Sequence, residues 1–140
     1  MHYRKILLSI NGNVDEKRAI DEAIFLESFF DARLSIVVIN DPGAGKAHMM
    51  MDTLPRVTRN DIRGQLHEFG YHDKAEDIEI LLIESESYAE AIAHVSRDFD
   101  LLVMGHHPKN PIVAFFKDST DERVADRIDC PILLVPLGLK

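Results

Sequence analysis

The chain has a single cysteine, no tryptophan and no apolar run approaching the length of a membrane span. With only Cys130 available, no internal disulfide can form, and this cysteine lies just before Pro131 near the start of an apolar run. Basic residues are also short: 16 Lys and Arg stand against 24 Asp and Glu, a formal net charge of -8. Phosphate backbones are gripped by clustered Lys and Arg, so no nucleic-acid partner is expected. The opening "MHYRKILLSI" breaks into polar residues after too few apolar positions for a signal peptide, which makes a cytoplasmic setting without a membrane partner the expectation. The seven histidines are scattered apart from His106 and His107, and no Cys or His spacing resembles a structural zinc site.

At 140 residues the chain suits one domain, spanning residues 1–140. A domain of that size buries roughly two thirds of the surface its unfolded chain exposes, so it needs no metal or disulfide to hold it.

Five short apolar runs alternate with segments of helical period: "KILLSI" (5–10), "LSIVVI" (34–39), "IEILLI" (78–83), "LLVM" (101–104) and "ILLV" (132–135). They are nearly continuous rather than alternating, as strands covered on both faces are, which predicts a parallel sheet with helices on each side. Helix starts are marked by Asn13 with Glu16, Ser87 with Glu90, and Ser119 with Glu122, each a capping side chain three residues before a Glu. Ile20, Ala23, Ile24 and Phe30 share one side of the first helix, and Ala91, Ile92, Val95 and Phe99 one side of a later one. A further helix is predicted over 58–69, with Gly64 as its weak point. The stretch 41–56, "DPGAGKAHMMMDTLPR", has no periodicity and reads as a long, mobile connection. Right-handed crossovers then give a doubly wound, five-stranded parallel α/β sheet of order 3-2-1-4-5, with helices on both faces. Its ligand crevice lies beyond the carboxyl ends of the first and fourth strands, at "SINGN" (9–13) and "MGHHP" (104–108).

Known phosphate chemistries fit these loops poorly. "PGAGK" (42–46) lacks the first glycine of a P-loop, since Asn40 stands there, and Ala47 lacks the hydroxyl that a bound magnesium needs. A phospho-acceptor domain needs acidic groups after the first strand, an aspartate ending the third and a lysine ending the fifth; those places hold Asn11, Glu84 and Pro136. No nucleophile has an identifiable base beside it, and Cys130 falls at the end of the sheet away from the crevice, where burial as a small apolar residue is expected. His106 and His107 have no third ligand in view.

"KILLSINGN", "DLLVMGHH" and "DSTDERVADRIDCPILLVP" resemble the universal stress protein family, and the strand and helix order agrees over essentially the whole chain. In the family's ATP-binding members the fourth strand is followed by G-x-x-G, nine residues, then G-[ST], with an aspartate after the first strand. The resemblance implies nucleotide contacts at Asn11, Ile39, Met104, Gly105, His107, Ser119 and Thr120. The pattern departs at Asn11 in the aspartate position, Pro108 in that of the second glycine and Asp118 in that of the third. "GHH" followed by "AFF" (114–116) is more similar to the subclass typified by universal stress protein A, generally described as not binding ATP.

The departures have a physical cost. Pro108 removes a backbone donor and restricts His107, and Asp118 puts a carboxylate beside the helix start where phosphate oxygens would meet amide donors. A like charge at about 5 Å costs on the order of 1–3 kcal/mol per unit charge at effective dielectrics between about 20 and 80. That weakens binding about tenfold to a hundredfold, which Lys109 and Lys117 offset in part. The expectation is a small regulatory or protective binding module with weak or no ATP binding, no required cofactor and no enzyme chemistry beyond slow hydrolysis of a bound nucleotide. The alternative is a stress sensor that binds ATP, ADP or AMP through the variant loop. Partners expected are an unidentified protein and a second copy, paired through the edge strand at Ile132, Leu133, Leu134 and Val135, as family dimers commonly are.

Overall fold

The computed structural model describes residues 3–43, 56–106 and 128–137. Five strands, β1 (Lys5–Ser9), β2 (Arg33–Asn40), β3 (Glu79–Glu84), β4 (Leu101–His106) and β5 (Ile132–Pro136), form one sheet in the order β3-β2-β1-β4-β5. Every pairing is parallel, and Ser9 lies beside Val37 on one side and Met104 on the other. The predicted order and the central place of β1 and β4 both hold.

The pleat divides the apolar residues between two layers. Ile6, Leu8, Leu34, Ile36, Val38, Ile80, Leu101, Val103 and Val135 face α1 (Lys17–Phe30) and α2 (Arg59–Glu68), which contribute Ala19, Ile20, Ala23, Ile62 and Leu66. Leu7, Val37, Leu102 and Met104 face the other way and pack on Ile92 of α4 (Tyr88–Val95), with Tyr88, Val95, Phe99, Ile128 and Ile132 around them. Each fully buried Leu or Ile contributes about 1.5–3 kcal/mol, so the continuous apolar runs are what two covered faces require.

Chain ends of the elements follow their capping chemistry. Thr58 and Asp61 cap α2 reciprocally at 3.1 and 2.9 Å, and Ser87 Oγ accepts from Glu90 N at 3.2 Å at the start of α4. At Asn13 a single 3-10 turn, Val14–Glu16, precedes α1. A four-residue helix, α3 (His72–Ala75), was not foreshadowed by periodicity, because it is too short to carry one. The predicted cap at Ser119 and Glu122 lies outside the described residues.

Residues 44–55 of the long connection also lie outside the described residues, but its two ends are tied together. The buried Asn40 side chain donates to Val57 O at 2.9 Å and accepts from Val57 N at 3.1 Å. One amide thus acts as a strand neighbour for the returning chain and holds the end of β2 beside the crevice. Among the described residues no helix is long and apolar enough to cross a membrane.

Candidate functional site at the carboxyl ends of β1 and β4

The turn after β1 is organised by Glu16. Only 4% of this residue is exposed, and its carboxylate accepts from Asn11 N at 3.0 and 2.8 Å and from Asn13 N at 2.8 Å. Burial pushes the carboxyl above its usual range, and the backbone donors of Asn11, Asn13 and Gly12 pull it back in part. From below, Gln65 on α2 donates to Gly12 O at 3.1 Å and Asn13 O at 3.0 Å. The backbone donors that a switch-point loop offers to an anion are therefore already in use by the protein's own carboxylate.

On the opposite face of the sheet, Ser9 Oγ and Tyr88 Oη share a 2.5 Å hydrogen bond. Burial pushes the Tyr88 phenol up to about 12, with Glu16 adding to the shift and Ser9 opposing it. This pair joins the start of α4 to the end of β1 and covers the layer that holds Met104 and Ile39.

The predicted contacts divide into four groups. Asn11 is exposed. Ile39 is half-buried beside the Tyr88 layer, while Met104 is 2% exposed and belongs to the core, so only its backbone is offered to a ligand. His107, Ser119 and Thr120, along with Pro108 and Asp118, lie outside the described residues. Gly105 is half-buried beside Val135 in the β4–β5 register. A Cβ on Gly105 would stand 2.3 Å from Leu137 Cδ1 and 3.0 Å from Leu137 Cγ. Its glycine therefore has a packing reason independent of any phosphate. The Glu16 and Tyr88 arrangements were not legible as site features: Glu16 showed only as a capping partner, and nothing local links Tyr88 to Ser9.

Cys130, predicted to be buried far from the crevice, is half-buried at the amino end of β5, where burial raises its thiol above the usual range. Val135 of the predicted edge interface is 4% exposed and Leu133 packs on the α1 layer, so an edge partner would meet their backbone, whereas Leu134 is 40% exposed. Two concavities among the described residues also sit at the amino end. One of about 370 Å³ is lined by Glu27, Arg33, Lys74, Asp77 and Glu79, away from the crevice that the topology selects. It is already crossed by the Lys74 to Glu27 ion pair at 2.8 Å. In a doubly wound sheet the ligand crevice lies instead where two crossovers diverge, at the carboxyl ends of β1 and β4.

A doubly wound parallel sheet with an acid-organised turn after β1 and a glycine at the end of β4 defines the class: a small α/β binding domain with its crevice at the switch point. The universal stress protein family model matches residues 2–136, and the chain belongs to that family. Among solved structures, a universal stress protein in complex with cAMP is 21% identical, with a TM-score of 0.64 over 99% of this chain and 100% of that one. A universal stress protein family member from Burkholderia pseudomallei is 24% identical, with a TM-score of 0.53 over 96% of this chain and 97% of that one. Another, from Archaeoglobus fulgidus, is 21% identical with a TM-score of 0.63; 98% of this chain matches 45% of that one. No curated protein matches the chain.

Proposed function

We propose that the chain is a regulatory binding module of the universal stress protein family, cytoplasmic and homodimeric, that binds adenine nucleotides weakly and needs none to fold. The observation that carries this reading is the Glu16 carboxylate on the Asn11 and Asn13 amides, an internal anion where a ligand's negative groups would seek donors. In the sequence, Pro108 and Asp118 stand where the family's ATP-binding members carry glycine and act in the same direction. Catalysis is not part of the proposal, since strand ends carrying Asn11, Gly105 and His106 offer no nucleophile with a base beside it.

The second reading, an adenine-nucleotide sensor, is favoured by one observation: the exposed Asn11 amide stands at the position where the family's ATP-binding members carry an aspartate. A universal stress protein of the same fold solved in complex with cAMP supports this second reading. Equilibrium binding of labelled ATP, AMP and cAMP to purified protein, with assay of nucleotide released on denaturation, separates the readings. The expected result is no stoichiometric copurified nucleotide, ATP weaker than AMP, and ATP binding about tenfold to a hundredfold tighter in the Pro108→Gly, Asp118→Gly double variant. Stoichiometric ATP in the unmodified protein would establish the sensor instead.

Assembly through β5 follows from its place at the sheet edge, with Pro131 and Pro136 bracketing Ile132–Val135 and Leu134 exposed. An antiparallel pairing across a twofold axis would bury both edges in one isologous contact. Sedimentation should find the wild type dimeric at micromolar concentration and Leu134→Lys predominantly monomeric; a monomeric wild type would refute this mode of assembly.

A further inference from the structure

The segment "HEFGYH" (67–72) ends α2 in a turn that brings two imidazoles together on the surface. Gly70 takes φ +92, with Gly70 N bonded to His67 O at 3.0 Å and Tyr71 N to Leu66 O at 2.8 Å. This is the paired 5→2 and 6→1 closure of a Schellman motif, which needs a left-handed residue just past the helix and so a glycine. No atom crowds Gly70, so the constraint there is conformational. Tyr71 Oη then donates to Asp21 Oδ1 at 2.5 Å and fastens the turn to α1.

The consequence is that His67 Nδ1 and His72 Nδ1 face each other at 2.8 Å, with ring centroids 5.1 Å apart. His67 Nε2 lies 3.4 Å from Glu76 Oε2, which favours the tautomer with the proton on Nε2 and a free lone pair on Nδ1. A carboxylate behind an imidazole is the arrangement that orients metal-ligating histidines. The C-terminal end of α2 adds a favourable potential for a cation. Lys74, the nearest lysine in sequence, is engaged by Glu27.

We propose that His67 and His72 form a surface site for a late first-row divalent metal ion such as Zn²⁺, held by the two Nδ1 atoms, with Glu76 as the positioning residue behind His67. With metal–nitrogen distances of about 2.0–2.1 Å, two imidazoles on a tetrahedral ion hold their nitrogens roughly 3.3 Å apart. Two exposed rings need open by only about half an ångström to accept it, with the His72 proton moving from Nδ1 to Nε2 by exchange with solvent so that the ring stays neutral. Among the described residues no group of three His, Cys, Asp or Glu side chains converges, so water completes the coordination and the site is an open one. Open two-histidine coordination suits a sensing or bridging role more than a structural one. The proposal is independent of nucleotide binding: the site rests on α2 and α3, on the sheet face opposite Tyr88.

Zn²⁺ titration of the full chain against a chromophoric competitor tests this, together with imidazole ¹⁵N NMR. The expected result is one Zn²⁺ per chain in the micromolar range, with the His67 and His72 Nδ1 resonances shifting together. His67→Ala and His72→Ala should each weaken binding at least tenfold, and Glu76→Gln roughly tenfold. Gly70→Ala should weaken it as well, because both ligands survive but their convergence does not. His94→Ala, on α4, should bind as the wild type does. Binding unaffected by both His67→Ala and His72→Ala, or Zn²⁺ shifts confined to other histidines, would overturn the proposal.

Discussion

Glu16→Ala is expected to lower the unfolding free energy by about 2–3 kcal/mol, because it strands the amides of Asn11 and Asn13 that the buried carboxylate accepts from. For a domain of this size that corresponds to a fall of roughly 5–10 °C in Tm. Glu16→Gln keeps one acceptor and removes the charge, so its loss should be smaller and its pH dependence different. The direction follows from linkage. The folded-state pKa of Glu16 is raised above its usual value by burial, so the folded chain holds this proton to higher pH than the unfolded chain does. The proton-linked part of the Glu16 contribution is therefore fully present below the unfolded pKa and lost as pH rises through the folded one, while the hydrogen bonds to the Asn11 and Asn13 amides remain. Urea unfolding of wild type and Glu16→Gln between pH 4 and 7 should show the wild type gaining on the variant as the pH falls. A difference that stays constant, or grows with pH, would mean that the amide donors outweigh burial and that the carboxylate is favoured in the fold.

Gly105→Ala is expected to cost about 1–3 kcal/mol in the absence of any nucleotide, since the added Cβ would stand 2.3 Å from Leu137 Cδ1 and force that buried side chain aside. Leu137 N also donates to His106 O at 2.7 Å, so the chain leaving β5 is held against β4 and cannot simply retreat. Removing the obstacle should recover much of the loss. The double variant Gly105→Ala, Leu137→Ala should be less destabilised than the sum of the singles, with a coupling of about 1 kcal/mol or more. Additive single effects in chemical denaturation would show that Leu137 is not what demands glycine here. An unchanged stability with weakened nucleotide binding would return Gly105 to the phosphate-loop role that its position in the family pattern suggests.

The two expectations change how the crevice is understood. A glycine after β4 counts as a phosphate-loop signature only when nothing else requires it, and here Leu137 does. An acid three residues after an N-cap counts as a capping partner, yet Glu16 is buried and serves two amides in the turn before it. In both cases one residue serves the fold at the place where binding relatives would serve a ligand.

What the amino-acid sequence determined by itself was the architecture. Near-continuous β-branched runs, the cap at Ser87, and the order of strands and helices are local signals, and the handedness of crossovers converts them into the sheet order 3-2-1-4-5. The location of the crevice at 9–13 and 104–108 followed from that order, whereas Asn11, Ile39 and Gly105 were singled out as contacts by the family resemblance. Tertiary structure alone decided what those positions do. The pleat turns Met104 into the core although it lies near the crevice end of β4, and Ser9 meets Tyr88 across 79 positions of sequence. His67 and His72 converge because a left-handed Gly70 reverses the chain between them and Tyr71 pins the turn to α1. Periodicity reports which face a side chain takes within its own element. Which atoms from distant elements then come within 3 Å depends on packing, and packing is set by the whole chain at once.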